Sequence, residues 1–181
     1  MTRDVAPFAS HTDTVCTTRV SSVDERVAGA CAPVGEDAPF FSIVMPCYGV
    51  ESYIGRALEF ILKQTERSWE LIVVDDATPD ASALIAERAA AGDARIRVVH
   101  HERNLGLSGA RNTGISQARG EYVWICDPDD TYEPDVLSRA RHTLERSHAD
   151  VCLFGYCEEY YDEAGAFMYR NDLPLEAGEY L

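Results

Sequence analysis

The feature that most constrains this chain is a series of short, nearly continuous apolar runs that begins after Phe40 and is interrupted by stretches of helical period. The runs cover residues 41–45, 70–74, 96–99 and 122–126. A strand exposed on one face alternates between apolar and polar residues, whereas a strand buried on both faces does not, and burial on both faces marks a sheet sandwiched between crossover helices. After the first run, Ile54, Leu58, Ile61 and Leu62 recur on one helical face. The spacing predicts a second helix with Thr78 as its cap, Pro79 at its first position and Gly92 just past its end. It predicts a third between the segment 104–108 and Gly120, a fourth from about Pro134 to Arg146, and a closing strand over 151–154. The fold class is therefore α/β, a mostly parallel sheet with helices on both faces. Right-handed crossovers bring the C-terminal ends of such strands to one edge, where open α/β sheets bind ligands.

Residues 1–38 mix Ser, Thr, Ala, Asp and Pro without a sustained period of 2 or 3.6, which predicts a flexible N-terminal tail ahead of one domain at 39–181. A length of 181 residues suits one such core. The net charge of -15 argues against nucleic acid as a partner, since no basic stripe is present, and it means that a bound phosphate needs a divalent cation to offset the acidic surroundings. No run has the length of a membrane span or the pattern of a signal peptide. A cytoplasmic protein without a transmembrane segment is expected, with room for peripheral association at a membrane. The six cysteines form no CxxC pair, and Cys47 and Cys126 read as small buried hydrophobes at strand ends.

The polar residues that end the apolar runs carry the chemistry. Asp127 and Asp129 leave the fourth run at positions i and i+2, so both can face one cation. Mg2+ or Mn2+ accepts hard oxygen ligands from one or two carboxylates, with phosphate and water completing the shell. Asp75 and Asp76 end the second run and are free to accept hydrogen bonds from a ligand's imide or hydroxyl groups. Tyr48, two residues past Pro46, can lie flat on a nucleobase. Asn104, Gly106 and Arg111 belong to a loop-to-helix turn in which Gly106 permits close backbone approach and Arg111 can donate to a diphosphate. Several of these also have a structural reading: packing for Tyr48, complementing the dipole of the next helix for Asp75 and Asp76, and a solvated loop capping the helix at Pro134 for Asp127 to Asp130. The adjacent His100 and His101 point to opposite sides of a strand and are expected to be structural rather than metal ligands.

Taken together, FSIVMPCYG, YIGRALEFILKQT, WELIVVDDATPD, NLGLSGARNTGISQARGEYVWICDPDD and TYEPDVL resemble the family 2 glycosyltransferases in order and spacing over roughly residues 40–156. The resemblance implies a GT-A, Rossmann-like fold, and transfer of a sugar with inversion from a nucleotide diphosphate sugar, most often a UDP-sugar, to a saccharide or other hydroxyl acceptor, as in polysaccharide biosynthesis. It places Pro46, Tyr48, Asp75, Asp76, Asn104, Gly106, Arg111 and Asp127 at the nucleotide sugar and Asp127 and Asp129 at a divalent cation. Two positions depart from the family pattern: Gly49 stands where asparagine is usual, and Ala77 where glycine is usual. The family's general base is an acidic residue well downstream, so a C-terminally truncated domain without its base is expected. Binding of the nucleotide sugar without turnover is the alternative. Glu158, Glu159, Asp162 and Glu163 read as a solvated hairpin rather than as that base. A nucleotidyltransferase would need a Gly-rich basic loop where Pro46-Cys-Tyr-Gly-Val50 stands, and an NAD-binding domain would need GxGxxG.

Overall fold

The computed structural model describes residues 9–11, 16–19, 38–153, 156–161 and 166–173. In chain order the elements are β1 (Ala9–His11), β2 (Cys16–Arg19), β3 (Phe41–Cys47), α1 (Glu51–Leu62), β4 (Trp69–Asp75), α2 (Ser82–Gly92), β5 (Ile96–His100), α3 (Gly106–Ser116), β6 (Tyr122–Ile125), α4 (Val136–Ser147), β7 (Val151–Leu153), β8 (Tyr156–Tyr161) and β9 (Phe167–Leu173). The main sheet has the order β5-β4-β3-β6-β2-β7. Strands β3, β4, β5 and β6 are parallel, and β2 runs antiparallel to both β6 and β7. A second sheet, β1-β8-β9, is antiparallel. Within the stretch expected to be a tail, Ala9–His11 and Cys16–Arg19 are thus strands, and the latter completes the main sheet beside β6. The rest of that stretch lies outside the described residues.

Every residue of β3 and β4 is buried, as the absence of alternation requires. One face of the sheet sets Phe41, Ile43, Met45, Leu71, Val73 and Trp124 against Ile54, Leu58 and Ile61 of α1, Ala86 of α2, and Leu137, Ala140 and Leu144 of α4. The other sets Val44, Ile72, Val74 and Val123 against Ala110 of α3 and Ala118. Each fully buried aliphatic or aromatic side chain stabilises the fold by roughly 1.5–3 kcal/mol, so both faces together hold the strand order. Helix α3 lies so close to β3 that a Cβ on Gly114 would stand 2.2 Å from Cγ1 of Val44.

Two polar side chains break the apolar runs and meet each other. Ser42 and Glu70 are partners in the β3–β4 register, and the Ser42 hydroxyl donates to Glu70 Oε1 at 2.6 Å. Arg119, in the turn before β6, donates to the same carboxylate from its main-chain N and from Nε and Nη2. Ser42 Oγ accepts from the main-chain N of Arg119 and of Gly120. The network ties the entrance of β6 to β3 and β4 at the end of the sheet opposite the ligand edge.

Several boundaries differ from the sequence expectation: α3 ends at Ser116 rather than Gly120, α4 begins at Val136 rather than about Pro134, and three more differ as follows. Strand β3 runs through Pro46 to Cys47 rather than closing at Met45. Alternate residues of β3 address β6, as the bond from Cys126 N to Val44 O shows, so the donor that proline lacks would point past the last β3–β6 pair, Val44 with Ile125. Helix α2 begins at Ser82, not after a Thr78 cap, because Asp80 organises the turn: Oδ1 accepts from Thr78 Oγ1 at 2.7 Å and from Ser82 N at 3.0 Å. Gly92 is the last residue of that helix rather than the residue beyond it. No helix among the described residues is long and apolar enough to cross a membrane.

Candidate functional site

The parallel strands deliver their ends to one edge, and main-chain bonds carry the alignment past them: Asp76 N donates to Cys47 O and His101 N to Asp75 O. The first loop follows β3. Tyr48 is 52% exposed there, and Gly49 has φ +66, a left-handed conformation that glycine adopts without strain. This loop is clasped to the one after β4. Gly49 N donates to Thr78 Oγ1, Val50 N to Ser82 Oγ and Glu51 N to Asp80 Oδ2, while Glu51 returns an acceptor to Ala81 N. The Ser82 hydroxyl, ahead of the opposing effect of burial, and the Thr78 hydroxyl with two backbone N–H groups hold Asp80 far below the usual carboxylate range, so the clasp stays ionised. Tyr48 therefore projects from a braced backbone.

Ala77 has φ +56, the conformation that the expected glycine would adopt freely. A left-handed residue with a Cβ costs roughly 1–2 kcal/mol, of which glycine's greater freedom in the unfolded chain returns about 0.5–1. Ala77→Gly is therefore expected to raise stability by about 0.5–1 kcal/mol in urea denaturation. An unchanged or lowered midpoint would count against a strained turn.

Asp76 is buried and fully engaged. Oδ1 accepts from Leu105 N at 2.8 Å and faces His101 Nδ1 at 2.6 Å, and Oδ2 accepts from Gly106 N at 2.8 Å. Burial alone would raise its pKa, but the His101 ring and the two backbone N–H groups outweigh burial and hold the carboxyl below the usual range. Gly106, at φ +78, also donates to Asn104 Oδ1 at 2.9 Å. The side chain of Asp76 thus caps α3 from another element, since Leu105 makes no side-chain cap. Asp75 accepts from Thr78 N at 2.9 Å and contacts His100 Nδ1 at 2.9 Å. The two histidines do separate: the His100 side chain is 49% exposed between Asp75 and Glu87, whereas that of His101 is 8% exposed between Asp76 and Thr113.

On the other side of α3, Arg111 Nη2 donates to both carboxylate oxygens of Asp127, at 3.0 and 2.7 Å. Its Nε is buried and has no hydrogen-bond partner. Asp129 is exposed. Below the loop, Tyr132 meets Trp124 edge to face at 4.8 Å, and its hydroxyl reaches Asp127 O at 3.2 Å and Asp130 Oδ2 at 3.3 Å. Burial, then the neighbouring Cys126 and Asp130, push the Tyr132 phenol far above its ordinary value, and burial does the same to the Cys126 thiol. Burial, with Asp75 second, raises Cys47 to about 12. None of the three is ionised at neutral pH, so they pack and position rather than react.

The structure thus brings Asp76, Asn104 and Gly106 into one cluster and Arg111 and Asp127 into another, with Pro46, Tyr48 and Asp75 at the adjoining strand ends. Asp129 is exposed beyond β6. Among the described residues, no group of three or more His, Cys, Asp or Glu side chains gathers as a metal site. A pair of hard carboxylate oxygens at Asp127 and Asp129 nevertheless suits Mg2+ or Mn2+, whose remaining ligands come from phosphate and water. Of the downstream acids, Glu159 pairs with Arg170 across the β8–β9 hairpin at 3.6 Å, and Asp162 and Glu163 lie outside the described residues. Sequence reasoning expected His101 to be structural without locating its partners, and it did not single out Thr113 or Tyr132. Both lie inside quoted motif segments, Thr113 in 104–130 and Tyr132 in 131–137, and that was the usable signal.

The model for glycosyl transferase family 2 matches residues 42–173. The uncharacterized glycosyltransferase EpsJ of Bacillus subtilis is 42% identical over 121 residues, covering 67% of this chain and 35% of EpsJ. Among solved structures, S. aureus TarS 1-349 in complex with UDP-GlcNAc superimposes with a TM-score of 0.58 at 32% identity, over 61% of this chain and 32% of that one. The mannosyltransferase PcManGT from Pyrobaculum calidifontis in complex with GDP-Man and Mn2+ gives 0.55 at 26% identity, over 66% and 37%. The chain spans about a third of the length of each of these proteins. It belongs to glycosyl transferase family 2, and its central parallel sheet with flanking helices is the GT-A fold.

Proposed function

We propose that this family 2 glycosyltransferase domain, taken as residues 39–181 together with strand β2, binds a nucleotide diphosphate sugar at the C-terminal edge of its sheet and transfers the sugar, with inversion, to a hydroxyl acceptor such as a saccharide. The observation that carries the reading is Arg111. Its guanidinium is held by Asp127 at the ligand edge while its buried Nε–H lacks an acceptor, and leaving such a donor unsatisfied costs about 1–3 kcal/mol. A diphosphate oxygen would satisfy it and take up the positive charge. Nucleotide sugars are the ligands of TarS and PcManGT, and a UDP-sugar is the first candidate here.

In this reading Tyr48 covers the base and Asp75 and Asp76 shape the base and ribose pocket, Asp76 by fixing the loop at Asn104 and Gly106. Arg111 offsets the charge that develops on the leaving diphosphate as the anomeric C–O bond breaks and the acceptor oxygen bonds to the same carbon. The acceptor's proton passes to an acidic general base, as the family resemblance implies. A divalent cation, Mn2+ or Mg2+, held by Asp127 and Asp129, would add Lewis-acid stabilisation of that leaving group. A cytoplasmic setting, where nucleotide sugars are at hand, suits the reading, as does a role in polysaccharide synthesis.

Calorimetric titration with UDP and GDP, with and without Mn2+, tests the proposal. Asp129→Ala is expected to remove most of the metal-dependent part of binding, whereas Asp150→Ala, an exposed control, leaves it intact. Equal losses in the two variants, or no nucleotide binding by the unsubstituted chain, would refute the site.

A further inference from the structure

His101 lies one residue past β5 and is nonetheless almost wholly buried, with partners for both ring nitrogens. Nδ1 lies 2.6 Å from Asp76 Oδ1 and Nε2 lies 2.9 Å from Thr113 Oγ1. An ionised carboxylate only accepts, so Nδ1 carries the proton of that contact, while Nε2 shares a hydrogen bond with the Thr113 hydroxyl. Asp76 directly follows β4 and Thr113 lies in α3, so the ring adds a second tie between two elements that Asp76 already joins at the start of α3. Asp76 passes the constraint on, because its two oxygens hold Leu105 N and Gly106 N at the start of α3. Thr113 passes it on at the other end, two residues beyond Arg111.

We infer that His101 is a positioning residue of the donor-diphosphate site: through Asp76 and Thr113 it fixes the first turn and the rotation of α3, and so sets where Arg111 meets the phosphate. The inference rests on the functional reading above. It makes no use of His101 as a ligand contact. An imidazole in that place does what a single amide cannot, because its two nitrogens are spaced to reach both partners at once. Asparagine places an amide nitrogen where Nδ1 stands and can still donate to Asp76. Glutamine places one near Nε2 and serves only Thr113.

That difference gives the test. His101→Ala, His101→Asn and His101→Gln are made in the full chain, UDP binding is measured by calorimetry with Mn2+, and amide exchange is followed at Leu105 and Gly106. For His101→Ala, UDP binding is expected to weaken about tenfold and exchange at both amides to accelerate. His101→Asn should recover to within about twofold of the unsubstituted chain, and His101→Gln should behave as His101→Ala does. Unchanged UDP affinity in His101→Ala would overturn the positioning role, as would equal losses in the asparagine and glutamine variants. Should His101→Ala fail to fold, the asparagine and glutamine pair decides alone. Absence of UDP binding in the unsubstituted chain would defeat the functional reading and the positioning role with it, a result distinct from a loss seen only in the variants.

Discussion

Arg111→Ala is expected to weaken UDP binding about 10- to 100-fold, the value of one strong hydrogen bond to a charged group, and at the same time to strengthen Mn2+ binding measured without nucleotide. The two effects have opposite signs because Arg111 plays two parts. In the free chain its guanidinium occupies both oxygens of Asp127. A second cation must then displace it or share the carboxylate with it, and a divalent and a monovalent positive charge 4 Å apart repel by about 8 kcal/mol at the effective dielectric of a protein surface. With nucleotide present the diphosphate takes the guanidinium and leaves Asp127 to the metal. Removing Arg111 therefore frees the carboxylate and deprives the phosphate of its partner. Arg111→Lys should fall between, since a lysine ammonium keeps the charge but loses the planar array of guanidinium donors. Calorimetry with UDP, and manganese titration followed by electron paramagnetic resonance, measure the two quantities separately. Unchanged UDP affinity, or a loss of manganese affinity alongside it, would show that Arg111 only stabilises the loop.

How far the sequence could have led to this site depends on which interactions are local. Strands β3, β4 and β6 were legible because burial on both faces leaves a nearly continuous apolar run, and β5 at the edge of the sheet still shows an apolar Ile96, Val98 and Val99. Their order of appearance brings Asp76 and Asp127 to one edge. Strand β2 was not legible. Four residues, Cys16–Arg19, carry no readable period, and their partners in β6 lie about a hundred positions away. The start of α2 was misplaced for a local reason. A threonine before a proline reads as a cap, yet Asp80 takes that task by accepting from Thr78 and Ser82. Asp76 illustrates the limit at the site itself. Its position at the end of a buried strand suggested a group free to read a ligand, whereas its oxygens are taken by His101, Leu105 and Gly106. Residue type and strand context announce that a carboxylate stands at the edge; only the fold shows what already holds it.

The strongest effect on stability is expected from Glu70→Gln, a loss of about 2–3 kcal/mol at pH 7 in urea denaturation. The carboxylate is 2% exposed and accepts from Ser42, from the main chain of Arg119 and twice from its guanidinium, with Arg97 Nε at 3.5 Å. Burial by itself would raise its pKa, but the Arg119 and Ser42 hydrogen bonds prevail and hold it below the ordinary glutamate value. A glutamine neutralises the charge and turns an N–H2 group toward donors that need an acceptor. Arg119→Ala should cost less, about 1–2 kcal/mol, because that guanidinium is 60% exposed and regains water in the unfolded chain, while Glu70 keeps Ser42 and the main chain. The sign of the pH dependence follows from the lowered pKa. The contribution of Glu70 is fully present above its unfolded value of about 4.3 and disappears as pH falls through the lower folded value. The gap in stability between the unsubstituted chain and Glu70→Gln should therefore be widest near neutrality and narrow steadily below about pH 4. Asp76, Asp80, Asp93 and Glu66 also have lowered values and keep their own acid sensitivity in both proteins, so the difference between the two curves, not the slope of either, isolates Glu70. A gap independent of pH, or a larger loss in Arg119→Ala than in Glu70→Gln, would mean that the network acts through shape rather than through the buried charge.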